Sequence, residues 1–265
     1  MVRAGAWSRE VIGLIPAAGV GERLSPIPCS KEIYPIGFRD SPIAFEKRPK
    51  VACHYLLEKM RLAGIGRAYV ILRKGKWDIP SYLGDGKIVD MNLAYLMMDA
   101  PYGAPYTLDQ AFPFVKDALV AFGFPDILFQ SDNGFGKLLS HQNASDTDLV
   151  LGLFPADEPE KVDMVDVQEN CRVREIVIQP YNTQLRYSWD VAVWTPVFTE
   201  FLHSFVATQV SSAMSQPELS VGAVIQAAIG AGLCIEGVPV SGEPYLDIGT
   251  PEGLAKAMAR FAADV

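Results

Sequence analysis

The chain has 265 residues, of which 49% are hydrophobic and 20% are charged. This composition supplies enough apolar surface for a folded core and excludes intrinsic disorder as the main state. With 23 Lys and Arg against 31 Asp and Glu, the net charge is −8. That argues against a general nucleic-acid binder, because such proteins usually carry a basic surplus. Any phosphate site must therefore rest on a few local cations.

In the first half of the chain, strand-like and helix-like segments alternate. A helical period predicts a helix over 51–62, stopped by Gly64. Another is predicted over 107–118, where Pro113 means that the helix is kinked or begins late. Strands that are apolar along their whole length and separated by helices indicate a parallel sheet covered on both faces. The predicted strands are 11–17, 68–72, 93–98, 118–122 and 148–154.

The second half of the chain has a different pattern. Segments 162–167 and 173–178 alternate polar and apolar residues, which is typical of antiparallel strands with one wet face. Thr250 and Pro251 predict the start of a last helix that runs to Ala263. We predict one α/β domain, with a mostly parallel, Rossmann-like central sheet flanked by helices and with embedded antiparallel strands. Further strands are predicted at 191–194 and 233–240, and helices at 196–206 and 219–231.

Membrane segments and cysteine-based metal motifs are not evident in the sequence. The longest weakly polar run, 221–235, is shorter than the ~20 residues that a membrane span needs. The N-terminal segment lacks the apolar stretch of a secretory signal. The 4 cysteines form no CxxC pair, and the 3 histidines show no HxxxH spacing, so no zinc site is predicted. We expect reduced thiols in a cytoplasmic protein that binds neither membrane nor nucleic acid.

The strongest chemical signal follows the first predicted strand, where Gly19 and Gly21 precede Arg23 and Lys31. Glycines let backbone amides approach an anion closely, and the two cations suit phosphate oxygens. A dinucleotide-binding fingerprint would need a third glycine at Leu24, and no Walker motif is present. Glycine pairs also mark ordinary strand-to-helix turns, so the glycines alone leave both interpretations open.

The segment from Gly13 to Pro26, followed by Ser30 to Gly37, resembles the signature of the sugar-1-phosphate nucleotidyltransferases, with glucose-1-phosphate thymidylyl- and uridylyltransferases as the closest subgroup. The final motif, Tyr245–Pro251, is very like the family's W-x-D-[IT]-G-T-P motif. Weaker similarities lie between these two, in the family's order, so the resemblance covers most of the chain. The weaker similarities are at Leu62–Gly66, Tyr82–Gly86, Asn92–Tyr95 and Glu218-Leu219.

The resemblance implies a magnesium-dependent reaction in which a nucleoside triphosphate and a sugar-1-phosphate give a nucleoside diphosphate sugar and pyrophosphate. The sugar phosphate would attack the α-phosphate in line, without a covalent enzyme intermediate. It favours dTTP or UTP as the nucleotide, and homo-oligomers are usual in the family. It also places a nucleotide-binding part at about 8–155 and a sugar-binding part at about 156–265 of a single domain.

The resemblance also assigns roles to individual residues. Arg23 would hold the departing pyrophosphate, and Lys31 would steady the α-phosphate and the incoming phosphate. Asp126 and Asp247 would be catalytic carboxylates that hold Mg²⁺, a cation that prefers oxygen ligands. From the residues alone, Asp126 also fits a Pro-Asp turn, and Asp247 fits a solvated acid before a helix. The nucleotide-binding residues implied are Ala17, Ala18, Gly19, Gly21, Glu22 and Met98.

The sugar side departs from the family pattern. The family's EEKP segment aligns with residues 177–180, where Gln179 stands and both the glutamate and the lysine are missing. Trp189 and Asp190 are further candidates for the sugar site, although Trp189 also fits a buried core aromatic. The glutamine that reads the base in the family would fall at Met98, or at Asp99 in a shifted register. The nucleotide side is therefore better preserved than the sugar side.

Two alternative functions remain open from the sequence. The first is a catalytically degenerate relative that binds a nucleotide or a sugar nucleotide as a sensor or partner subunit. The second is a nicotinamide-dependent enzyme on a Rossmann sheet. Leu24 in the position of the third glycine, and no acid at the expected distance after the second strand, disfavour the second alternative.

Overall fold

A computed structural model describes residues 9–40, 46–99, 102–209 and 218–261. The strands in these ranges are β1 (Val11–Pro16), β2 (Pro35–Asp40), β3 (Lys47–Val51), β4 (Arg67–Arg73), β5 (Asn92–Met98), β6 (Leu119–Gly123), β7 (Ile127–Leu128), β8 (Leu149–Pro155), β9 (Met164–Val167), β10 (Val173–Val177), β11 (Tyr187–Trp194), β12 (Ile235–Pro239) and β13 (Leu246–Asp247). The helices are α1 (Ala52–Leu62), α2 (Asp78–Leu83), α3 (Ala104–Asp109), α4 (Phe112–Val115), α5 (Gly134–Ala144), α6 (Pro196–Gln209), α7 (Val221–Gly230) and α8 (Pro251–Phe261).

Nine of the described strands form one twisted sheet with β1 near its centre. β1 is parallel to β4 on one side and to β6 on the other, and β5 lies beyond β4. β11 runs antiparallel to β6 and to β8, and β12 is parallel to β8. β9 and β10 form an antiparallel pair beside the start of β11. The predicted fold class, a mostly parallel sheet with embedded antiparallel strands, is confirmed.

Each face of the sheet is covered by helices, so there are two apolar layers. In β1, Ile12 and Leu14 point to the layer that contains residues of α3, α6 and α7. Val11 and Ile15 point to the opposite layer, with residues of α1, α2 and α5. Because β1 has a strand on each side and helices on both faces, its sequence is apolar throughout rather than alternating.

A third apolar cluster lies at the carboxyl end of the sheet, where it supports the ends of two strands. It includes Ile36 of β2, Leu128 of β7, Ile248, and Phe261 of α8. In the two-residue ladder between β7 and β13, Leu246 pairs with Leu128 and Asp247 pairs with Ile127. The sequence did not predict this ladder or the hairpin of β2 and β3, because two-residue strands and polar hairpins carry no periodic signal.

Several predicted element bounds change in the structure. The single helix expected over 107–118 is wrong: α3 and α4 are separate, and Pro113 lies in the first turn of α4, where proline is tolerated. The predicted cap of α8 is confirmed, since the Thr250 hydroxyl accepts a hydrogen bond from the Gly253 amide at 3.1 Å. Its predicted end at Ala263 lies outside the described residues. Among the described helices, none combines the length and apolar character needed to cross a membrane.

Replacing Phe122 tests the packing of the central sheet. This β6 side chain is 0% exposed and contacts the rings of Phe124, Trp189 and Trp194. We expect Phe122→Ala to lower the free energy of unfolding by about 3–5 kcal/mol, because it leaves a cavity in a dense core. Urea denaturation would measure the loss. Phe114→Ala, at a side chain that is 53% exposed, is the matched control and should cost about 1 kcal/mol or less. Equal losses in the two variants would contradict this description of the core.

Candidate active site

The loop after β1 and the segment after β6 lie side by side at the carboxyl edge of the sheet. β1 and β6 are parallel neighbours, so the chain leaves both strands at the same edge. Ala18, Gly19 and Asp126 line the same cavity there, which has a volume of about 290 Å³. Adjacent parallel strands thus bring together two motifs that are far apart in the sequence.

Lys31 and Asp126 form an ion pair in the wall of this smaller cavity. Their side chains are only 15% and 10% exposed, so solvent screens the pair weakly. Burial acts to lower the pKa of Lys31, but the Asp126 carboxylate outweighs it and raises that pKa above its ordinary value. Burial acts to raise the pKa of Asp126, and the Lys31 charge instead holds it below the usual range. At neutral pH the pair therefore consists of an ammonium and a carboxylate.

Asp247 is placed beside Asp126 by the pairing of β13 with β7. The Ile248 amide donates to the Asp126 carbonyl at 3.1 Å, and the Gly249 amide donates to the Asp247 carboxylate at 2.7 Å. Arg23, whose side chain is 63% exposed, reaches Asp247 at 3.4 Å. Burial, and then the Asp126 charge, raise the pKa of Asp247. The result is a site with two neighbouring carboxylates, each with its own cation.

Gly249 is needed where these charged groups converge. A Cβ atom at this position would lie 2.8 Å from Oδ1 of Asp247, 3.0 Å from an Arg23 nitrogen and 3.3 Å from Oδ2 of Asp126. Any larger side chain would push the carboxylates and the guanidinium apart. The distances also show that both aspartates and Arg23 surround one small volume.

Among the described residues, two carboxylates, those of Asp126 and Asp247, could bind a metal ion at this site. Within the described ranges, no cluster of three or more His, Cys, Asp or Glu side chains is arranged to hold a metal ion. A divalent cation held by Asp126 and Asp247 would need further oxygen atoms from water and from a bound substrate. Mg²⁺ is bound in this way at sites that act on phosphates.

A larger cavity of about 980 Å³ continues from the smaller one. The three predicted sugar-side residues, Gln179, Trp189 and Asp190, all line it. Trp189 is 5% exposed and belongs to the core, so it both packs and forms cavity wall. The two cavities share one set of wall residues: Arg23, Ala104, Phe124, Ile127, Asp190, Glu218 and Asp247.

Asp190 lies where the two cavities meet, and its charge is poorly compensated. Burial raises the pKa of Asp190 well above the usual range, a hydrogen bond with Tyr245 opposes that rise, and Asp247 and Asp126 add to it. Asp163, on the wall of the larger cavity, has its pKa raised to about 6 by burial. This wall is therefore rich in carboxyl groups.

The remaining predicted nucleotide-binding residues, Ala17, Gly21, Glu22 and Met98, do not line either of the two cavities. Ala17 is 1% exposed and its amide donates to the Ile71 carbonyl at 2.8 Å, so it anchors the glycine loop. Gly21 and Glu22 follow in that loop but do not line either cavity. Met98, at the end of β5, is 8% exposed and belongs to the core rather than to a cavity wall. The structure does not bring Met98 together with the charged pairs.

Two residues on the wall of the smaller cavity, Glu32 and Gly103, were not identified as site residues from the sequence. Glu32 follows Lys31 directly and lines the smaller cavity, yet its role depends on a partner 44 residues away. Gly103, with φ +119°, starts α3 against the same cavity, and a Cβ atom there would lie 2.4 Å from the Leu219 carbonyl oxygen. The positive φ and the close approach both require glycine, but a single glycine in a loop gives no sequence signal for them.

Asp163→Asn tests the cost of the partly buried carboxyl on the wall of the larger cavity. With a folded pKa of about 6 and an unfolded value near 3.8, the folded state keeps a proton that the unfolded state loses between those pH values. Wild-type stability therefore falls as the pH rises from about 4 to about 6, and stays lower above that. We expect the variant to be more stable than wild type by about 1–3 kcal/mol at pH 7.5, with no such advantage at pH 4.

Urea denaturation of both proteins at the two pH values would measure this difference. Asp157→Asn, at an exposed acid on the same wall, is the matched control and should change the stability at pH 7.5 by about 0.5 kcal/mol or less. An Asp163→Asn advantage that is the same at pH 4 and pH 7.5 would contradict the assignment.

Comparison with known proteins agrees with this architecture. The family model described as nucleotidyl transferase matches residues 12–264. The low-salt glycan biosynthesis nucleotidyltransferase Agl11 of Haloferax volcanii is 24% identical over 249 residues, which are 92% of this chain. The matched region spans 64% of the length of that curated relative.

Two solved structures have a similar fold. A putative glucose-1-phosphate thymidylyltransferase from Bacillus anthracis, in complex with a sucrose, has a TM-score of 0.80 at 21% identity, with 96% of each chain covered. A UDP-glucose pyrophosphorylase complexed with UDP-glucose has a TM-score of 0.77 at 15% identity, covering 97% of this chain and all of that chain. The fold, the order of the motifs and the family model that matches nearly the whole sequence agree: this chain belongs to the nucleotidyl transferase family.

Proposed function

We propose that this protein transfers a nucleotidyl group from a nucleoside triphosphate to a sugar-1-phosphate, giving a nucleoside diphosphate sugar and pyrophosphate. The observation that carries the proposal is the pair of neighbouring carboxylates, Asp126 and Asp247, with Lys31 and Arg23 beside them. These groups stand where a glycine loop meets two connected cavities. A transfer between two phosphates needs this combination of positioning and charge stabilisation rather than a nucleophilic side chain.

In the proposed reaction, a phosphate oxygen of the sugar-1-phosphate attacks the α-phosphorus, and the bond to the pyrophosphate oxygen breaks. Lys31, on the wall of the smaller cavity, would steady the α-phosphate and the incoming phosphate. Arg23, more exposed and shared by both cavities, would bind the departing pyrophosphate. Gly19 and its neighbours allow the triphosphate to approach the backbone.

Mg²⁺ is the metal we propose for Asp126 and Asp247, where it would neutralise charge on the transferred phosphate. Both aspartates are oxygen donors, and each is held in place, Asp126 by Lys31 and Asp247 by the Gly249 amide. Burial, and then the Asp126 charge, raise the pKa of Asp247, as expected when two carboxylates lie close together. A divalent cation between them would relieve their repulsion.

For the substrates, we propose a class of nucleotide and a class of sugar phosphate rather than individual compounds. dTTP or UTP is favoured, in keeping with the glucose-1-phosphate thymidylyltransferase and the UDP-glucose pyrophosphorylase whose folds are similar. The smaller cavity would take the triphosphate and the larger one the sugar phosphate, which corresponds to parts at about 8–155 and about 156–265 of a single domain. Gln179, Trp189 and Asp190 would contact the sugar phosphate from the wall of the larger cavity.

A panel of nucleotides against sugar phosphates tests the proposal. ATP, GTP, CTP, UTP and dTTP would each be mixed with glucose-1-phosphate and with other hexose-1-phosphates. Each mixture would be assayed with and without Mg²⁺. We expect pyrophosphate release in at least one combination, and only with the metal. Nucleotide binding without release in any combination would contradict the proposal and support the alternative of a binding relative without chemistry. The neutral Gln179 at the sugar side is the observation that motivates that alternative.

Asp247→Asn separates catalysis from stability. The amide oxygen of asparagine can still accept the hydrogen bond from Gly249, so the fold should lose about 1 kcal/mol or less. Losing a metal carboxylate should lower kcat about a hundredfold or more, which is 2.7 kcal/mol of barrier. Pyrophosphate release and urea denaturation would measure the two effects.

Asp90→Asn is the matched control for Asp247→Asn. Asp90 is 84% exposed, pairs with Arg61 at 3.0 Å and has a positive φ that asparagine tolerates. This control should keep wild-type turnover and stability. An Asp247→Asn protein with wild-type kcat would rule out the proposed metal role.

A further inference from the structure

Behind the Lys31–Asp126 pair lies a second, deeper ion pair that the proposed reaction does not use. Nζ of Lys76 lies 2.6 Å from Oε1 of Glu32, and the two side chains are 6% and 2% exposed. Lys76 comes from the turn between β4 and α2, and Glu32 is the residue after Lys31. The charges therefore alternate from Lys76 through Glu32 and Lys31 to Asp126.

The first residue of α2, Asp78, holds the residue on the other side of Lys31. The Ser30 amide and hydroxyl both donate to the Asp78 carboxylate, at 2.6 Å and 2.8 Å. Residues 30 and 32 are thus tied to residues 78 and 76, and Lys31 lies between these two attachments with its ammonium on Asp126. Lys76 in the turn after β4 and Asp78 at the start of α2 therefore fix the backbone from which Lys31 extends.

Stability alone does not account for a buried ion pair at this place. Removing two charges from water is costly, and a well-packed apolar pair is often as good or better. Oε2 of Glu32 has no hydrogen-bond partner among the described residues, so the carboxylate depends on Lys76 for most of its compensation. The Glu32 charge also acts on Lys31, and the Lys76 charge acts on Asp126. The deep pair is electrically coupled to the pair at the cavity wall.

We propose that Glu32 and Lys76 are positioning residues for Lys31: Lys76 neutralises Glu32, so that the Lys31 ammonium stays available to Asp126 and to a bound phosphate. This inference rests on the proposed function, in which Lys31 contacts the nucleotide. Without Lys76, the buried Glu32 carboxylate lacks a partner, and Lys31 is the neighbouring cation that it would attract. Without both charges, this competition disappears.

Four proteins test the proposal: wild type, Lys76→Met, Glu32→Gln and the double variant. We expect Lys76→Met to lower kcat for pyrophosphate release about tenfold or more, which is 1.4 kcal/mol of barrier. Glu32→Gln should also be impaired, since it leaves a buried ammonium beside Lys31 and Asp126. The double variant should recover to within about threefold of wild type, as coupled residues deviate from additivity. Lys76→Arg, which keeps the charge, should retain more activity than Lys76→Met.

A matched control separates positioning from loss of stability. Lys59 is 6% exposed and pairs with Asp132 at 2.9 Å, outside both cavities, so Lys59→Met also removes a buried lysine from an ion pair. It should lower the melting temperature and leave kcat per folded molecule unchanged. Lys76→Met with wild-type kcat, or a double variant no more active than Lys76→Met, would overturn the proposal.

Nucleotide affinity distinguishes a failure of this inference from a failure of the proposed function. Calorimetric titration of Mg-dTTP and Mg-UTP into the four proteins should give a weaker Kd for Lys76→Met and a recovered Kd for the double variant. A wild type that binds nucleotide but releases no pyrophosphate contradicts the proposed function, and this order of Kd values would still support the positioning role. A wild type that binds neither these two nucleotides nor any other nucleotide of the panel contradicts both.

Discussion

The buried ion pair between Lys31 and Asp126 is the interaction on which the rest of the site depends. It joins the segment after the glycine loop to the segment after β6, and little solvent reaches either charge. Each member alone would be costly at this depth, because a buried charge without a partner loses its hydration without compensation. The pair keeps both groups ionised in a cavity wall, where a cation for phosphate and an anion for a metal are both useful.

Sheet topology determines which groups can join that pair. β1 and β6 are parallel neighbours, so their carboxyl ends deliver the glycine loop and Asp126 to one edge. Asp247 arrives from almost the other end of the chain, held by the β7–β13 ladder and by the apolar cluster that includes Ile248 and Phe261. The placement of Asp247 beside Asp126 therefore depends on two-residue strands, and the buried apolar cluster packs against them.

The charge distribution is compatible with the proposed phosphate substrates even though the chain is acidic. The formal charge of −8 counts Asp190 and Asp163 on the wall of the larger cavity as ionised, while Arg23, Lys31 and the deeper Lys76 supply cations close to the glycine loop. Local pairing rather than net charge sets the potential that a bound nucleotide meets, because interactions at 3–4 Å in a poorly solvated site outweigh distant, screened charges. A negative net charge argues against polyanions but not against a nucleotide.

The sequence alone predicted the apolar runs that form β1, β4, β6 and β8, and it predicted the glycine loop. It also supplied Lys31, Asp126 and Asp247 as candidate site residues. These features are visible in the sequence because hydrophobic runs, glycines and charges can be identified from neighbouring residues. The Lys76–Glu32 pair, the β7–β13 ladder and the burial of Met98 could not be predicted in this way. Each depends on contacts between distant segments: Lys76 and Glu32 are 44 residues apart, and Arg23 and Asp247 are 224 residues apart. The sequence by itself determined which chemical groups are available, and only tertiary packing decided which of them meet, since burial and pairing are set by the elements that surround a side chain.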